Sequence, residues 1–107
     1  MDKLLDQGVE FFNSGHYFKA HESWEDLWRK TVDPARRLFY QGLIHVAVGF
    51  YHLENHNLRG GHAQLRKALK KIAPTGAFDG IDSGDLVGKV NAALCNEQFD
   101  GPVIRRK

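Results

Sequence analysis

The segment Ala20-His21-Glu22-Ser23-Trp24-Glu25-Asp26-Leu27-Trp28-Arg29 gathers the residue types that could do chemistry at the tightest spacing in the chain. On a helix, His21 and Glu25 stand one turn apart and meet. At 100° per residue His21 lies about 40° from Tyr17 and about 20° from Trp28, at the edge of an apolar stripe, while Glu22 points away. An imidazole held by a carboxylate can bind a divalent metal, pass protons near neutrality, or simply be oriented by its partner. Two named metal motifs fail. The zincin pattern His-Glu-x-x-His lacks its second histidine, and no Glu is followed by a His three residues later, as carboxylate di-iron bundles require.

A second set lies downstream. Gln41, His45, Gly49, His52 and His56 fall within about 80° on a helical wheel. They form a polar stripe on a helix otherwise lined by Leu43, Ile44, Val46, Val48, Phe50, Tyr51 and Leu53. Polar groups on a buried helix need partners, and Gly49 lets a neighbour come close. The segment carrying His21 and Glu25 is its sequence neighbour, so a cluster of His21, Glu25, Gln41, His45 and His52 is expected. Within it His21, Glu25 and His45 would suit a divalent metal. Tyr17, Trp28 and Arg29 complete the candidate binding residues. The plainer alternative, an internal polar network that fixes helix register, carries more weight than a ligand pocket, and catalysis carries least. No nucleophile stands out: Ser14, Ser23 and Ser83 occupy cap or helix positions without an acid–base neighbour in sequence.

The elements that must position these groups are helices, because apolar residues recur at three and four and no long alternating pattern appears. Five are expected. The first runs from about Asp2 to Asn13, ended by Ser14-Gly15, and the second from His16 to Lys30. The third opens at Asp33-Pro34 as cap and first-turn proline and extends to Glu54. The fourth covers Leu58 to Ala73, and a fifth follows a cap at Asp82 or Ser83. Pro74 to Ile81 reads as a loop. An internal repeat shows at a spacing of 41 residues: Gly8 matches Gly49, Ala20 matches Gly61, His21 matches His62 and Trp24 matches Leu65. The first copy is similar to a tetratricopeptide unit. The expected fold is therefore all-α, a five-helix bundle of two antiparallel hairpins with tetratricopeptide-like packing plus a C-terminal helix. Residues 1–98 form one domain and 99–107 a tail.

Composition narrows the classes. The chain has 107 residues, 42% of them apolar, and a net charge of +2. That suits a single cored domain and gives no general pull toward nucleic acid. Twelve aromatics are many for this length, and six histidines are about twice the usual share. One cysteine, Cys95, cannot form an internal disulfide, and the opening Met1-Asp-Lys-Leu-Leu-Asp6 lacks the core of a secretion signal. A cytoplasmic setting is expected, with no membrane span. Arg59, Arg66, Lys67, Lys70 and Lys71 make a basic side on the fourth helix, read as a solvated face, so nucleic acid is not the expected partner. The nearly all-apolar third helix suits the bundle centre or a homodimer interface.

The residues quoted so far also resemble a known family. Phe11-Phe-Asn-Ser-Gly-x-Tyr-Phe-x-Ala-His-Glu-x-Trp-Glu-x-Leu-Trp-Arg29, then Tyr40-Gln-Gly-Leu-Ile44, Asn57-Leu-Arg-Gly60 and Gly80-Ile-Asp82 are similar to the bacterial and archaeal domain of unknown function 309. The resemblance spans roughly Leu4 to Leu94 and is most specific at His-Glu-x-x-Glu-x-x-Trp. It implies a compact all-α domain without an established activity. Its motif falls on Tyr17, His21, Glu22, Glu25, Trp28, Arg29, Gln41 and Gly42, while His45, His52, His56 and His62 lie outside it. The resulting expectation is a binding or interaction module with a His/Glu/Trp-lined surface, for a protein or small-molecule partner that the sequence does not name. The alternative is a metal-dependent or acid–base, hydrolase-like enzyme using His21 and Glu25.

Overall fold

Asp33 and Pro34 show how the local chemistry starts an element. The Asp33 carboxylate accepts a hydrogen bond from the Arg36 backbone N–H at 2.9 Å, and Pro34 takes the first helical position, where no N–H is needed. The helix they open, α3 (Pro34–Glu54), is the longest of the five among the described residues. The computed structural model describes residues 3–72, 80–96 and 102–105. In it α1 (Lys3–Asn13), α2 (Tyr17–Lys30), α4 (Leu58–Ile72) and α5 (Ser83–Asn96) complete the bundle, with no strand among the described residues. Most of the stretch expected to be a loop at 74–81, and Ala73, lie outside the described residues. Of the two candidate caps for α5, Asp82 fills the role: its carboxylate accepts from the Asp85 N–H at 3.1 Å.

The 41-residue repeat is matched turn for turn. After α1 the His16 N–H donates to the Phe11 carbonyl at 2.8 Å, and Gly15 sits at φ +82°. After α3 the Asn57 N–H donates to the His52 carbonyl at 2.8 Å, and His56 sits at φ +63°. Both helices thus end on a left-handed residue that returns the chain. Glycine adopts that conformation freely, whereas His56 does so at a cost of about 1–2 kcal/mol. His56 is accordingly a turn residue.

Each helix packs chiefly on its sequence neighbour: α1 on α2, α2 on α3, α3 on α4, and more sparsely α4 on α5. The contacts inside the two hairpins also correspond. A Cβ on Gly8 would lie 2.0 Å from Nε1 of Trp24, a wholly buried ring whose N–H donates to the Leu5 carbonyl at 3.3 Å. A Cβ on Gly49 would lie 2.6 Å from Leu65 and 3.2 Å from the Gly61 carbonyl oxygen. Around them Leu5, Phe12, Tyr17, Phe39, Leu43, Val46 and Phe50 form one core with Ile81, Leu86 and Val90. A buried side chain of this size contributes about 1.5–3 kcal/mol, so the core outweighs any surface pairing described below.

Leu58, at the start of α4, is 43% exposed. One expectation is corrected. Part of the stretch read as a tail returns to the body: Ile104 is buried, and Asn13 brackets it, donating to its carbonyl at 3.2 Å and accepting from its N–H at 2.7 Å. The Asp82 N–H donates to the Arg105 carbonyl at 2.9 Å. No helix among the described residues is long and apolar enough to cross a membrane.

Candidate functional site

On α2 the one-turn spacing produces a ladder. His21 Nε2 lies 2.9 Å from Glu25 Oε2, Glu25 Oε1 pairs with Arg29 Nη2, and Arg29 Nη1 reaches Asp26 Oδ1 at 3.7 Å. Pairs this exposed contribute about 0.3–0.5 kcal/mol each, so the ladder orients its members rather than holding the fold. Because Nε2 donates to the carboxylate, Nδ1 of a neutral His21 ring keeps its lone pair. That atom is buried and has no hydrogen-bond partner among the described residues.

His21 also borders an apolar cleft between α2 and α3. Tyr17, Phe18, Val48, Tyr51 and His52 complete its lining, around a volume of about 230 Å³. Two aromatics stand open at its rim: Phe18 is 52% exposed and Tyr51 37%, with ring centroids 5.7 Å apart. A second depression of about 210 Å³ runs along α2 over Phe18, His21, Glu22, Glu25, Asp26 and Arg29. Phe18 and His21 line both, so an apolar and an acidic half of one grooved surface adjoin there.

The expected five-residue cluster does not form as one set. His52 joins His21 at the cleft, but His45 turns to α4, with Nδ1 2.7 Å from Gln64 Oε1 and Nε2 2.9 Å from Lys71 Nζ. Gly49 likewise admits α4, not α2. The reason is that α3 is flanked on both sides, and about 10 Å of helix rise separates His45 from His52, so one polar stripe serves two neighbours. His21, Glu25 and His45 therefore make no triad, and among the described residues no three His, Cys, Asp or Glu side chains gather to hold a metal ion. Burial pushes the His45 imidazole below its ordinary value of 6.5; the Gln64 hydrogen bond opposes this, and the Lys71 and Lys67 charges add to it. Burial also lowers Lys71, helped by Lys67.

The other candidates are placed as follows. Tyr17 is a core aromatic, edge-on to Phe12 at 5.0 Å. Trp28 is half-buried beneath the Arg37 guanidinium, which stacks 4.3 Å from its ring and donates to the Trp28 and Thr31 carbonyls at 3.0 and 2.9 Å. Arg37 thus closes the C-terminus of α2 and is committed there. Gln41 is half-buried on α3. Phe18, Val48, Tyr51, Gln64 and Lys71 were not among the residues expected. Phe18 and Tyr51 do carry a signal in the sequence: each is a large aromatic that its helix has no place for in the core.

Comparison with known proteins yields two relatives of similar kind. An uncharacterized protein of Aquifex aeolicus (strain VF5) is 25% identical over 94% of this chain and 30% of its own length. The uncharacterized protein YpuF of Bacillus subtilis (strain 168) is 29% identical over 78% of this chain and 49% of its own length. The chain thus spans between about a third and a half of these relatives. No solved structure matches it. The family model described as domain of unknown function (DUF309) matches residues 5–63, which include the whole groove.

Proposed function

The chain belongs to the DUF309 family, whose description states no activity, and from its own residues we propose that it is an interaction module working through the groove on α2 and α3. The observation that carries this reading is that Phe18 and His21 line both the apolar cleft and the depression flanked by Glu22, Glu25 and Asp26, whose charge Arg29 only partly neutralises. Such a surface suits a protein segment that places an apolar side chain between Phe18 and Tyr51 and a Lys or Arg over the carboxylates. Exposed aromatics beside charge are the usual anchors of such contacts, and the acidic half would set orientation and specificity more than affinity.

Selection from a random peptide display library on the immobilised chain tests this. The expected winners pair a large apolar residue with a cation within one helical turn, and Phe18→Ser and Tyr51→Ser abolish their binding while leaving the melting temperature nearly unchanged. Selection of sequences without that pairing, or binding that survives both substitutions, overturns the reading.

A further inference from the structure

Away from the groove, on the α3–α4 crossing, an amine and an imidazole are held together. The Gln64 carbonyl oxygen can only accept, so the proton of neutral His45 is on Nδ1 and the Nε2 lone pair faces Lys71 Nζ at 2.9 Å. Lys71 is anchored as well: its Cβ lies where a Cβ on Gly42 would meet it at 3.3 Å, so its stem runs along the helix contact. No carboxylate pairs with it among the described residues. Lys67 and Lys70, on the same helix, are exposed, and among the described residues the amine hydrogen-bonded to the His45 ring is that of Lys71. Gln64 and Lys71 lie beyond the residues that the family model matches.

We propose that Lys71 is a modification site, a nucleophilic amine that accepts an acyl group from a small activated donor of the acyl phosphate class. The Nζ lone pair forms a bond to the acyl carbon, and the carbon–oxygen bond to phosphate breaks with its electron pair leaving on phosphate. The proton lost from Nζ passes to His45 Nε2 and on to the departing phosphate. A ring whose protonation is opposed by burial and by two lysines relays that proton rather than storing it. An ammonium held below its ordinary range also supplies more free amine near neutrality than a solvated lysine does. The product fits the same place, because an acylated Nζ keeps one N–H to donate to Nε2. It removes a positive charge from beside His45, so the imidazole of the acylated chain becomes more basic.

The full chain is incubated with acetyl phosphate at neutral pH, and initial acetylation rates at Lys67, Lys70 and Lys71 are read by peptide mass spectrometry. Lys71 is expected to lead the other two several-fold in the unaltered chain; equal or slower labelling overturns the proposal and requires no variant to fold. Gln64→Leu, which frees the His45 tautomer, and His45→Phe are each expected to bring Lys71 down to the pace of Lys67 in protein whose helical circular dichroism is intact. A lead that survives both removes His45 from the step. The imidazole titration of His45, followed by NMR, is expected to move upward on acetylation, and an unmoved titration counts against the contact.

Discussion

His21 and His45 differ in what occupies the second ring nitrogen. His21 spends Nε2 on Glu25 and leaves Nδ1 without a partner among the described residues, whereas His45 is satisfied at both ends by neighbours on α4. Protonating His45 would set an N–H against the Lys71 ammonium, so the folded state resists the proton more than the unfolded chain does. The contribution of neutral His45 to stability is therefore complete above the ordinary pKa of 6.5 and is lost as pH falls through the lower folded value. Urea midpoints measured down from neutrality are expected to decline, and His45→Gln to flatten that decline; an equal slope in the variant would assign the effect elsewhere. The His21–Glu25 contact was legible in the sequence because it is a one-turn spacing on one helix. The His45–Lys71 contact spans 26 residues and two helices, and no periodicity ranks which neighbour a polar stripe will choose.

At the scale of elements, the two hairpins make the same contact with different side chains, and that difference sets their tolerance. Gly8→Ala drives a methyl group into the buried Trp24 ring and strains its hydrogen bond to Leu5, with a loss of about 1–3 kcal/mol or more expected. Gly49→Ala meets Leu65, a flexible side chain, and gains about 1 kcal/mol of helix propensity that offsets part of the overlap. Chemical denaturation should rank wild type above Gly49→Ala and Gly49→Ala above Gly8→Ala; the reverse order would mean that Trp24 repacks more easily than the Gly49–Gly61 crossing. Helix number, extent and order were readable from apolar spacing and from Asp33-Pro34, because those signals are local. The facing of the α3 stripe was not, since a helix with two neighbours buries both flanks.

Among the described residues, Asn13 clamps Ile104 across 91 residues and so ties the C-terminal stretch to the end of α1. The sequence gives little sign of it, because a single isoleucine in a polar stretch has no period. Asn13→Ala removes both hydrogen bonds and leaves two backbone groups without partners, and a cost of about 1–3 kcal/mol is expected. Carboxypeptidase should then trim the C-terminal residues faster than in the wild type, and unchanged trimming would show that Ile104 is held by packing alone. The clamp also bears on the order in which the chain assembles. With each helix packed mainly on the one before it, structure can accumulate from the N-terminus as the chain is synthesised, and contacts this local favour rapid folding. Asn13 finds its partner only once residue 104 has been made, so until Ile104 docks the end of α1 stays open.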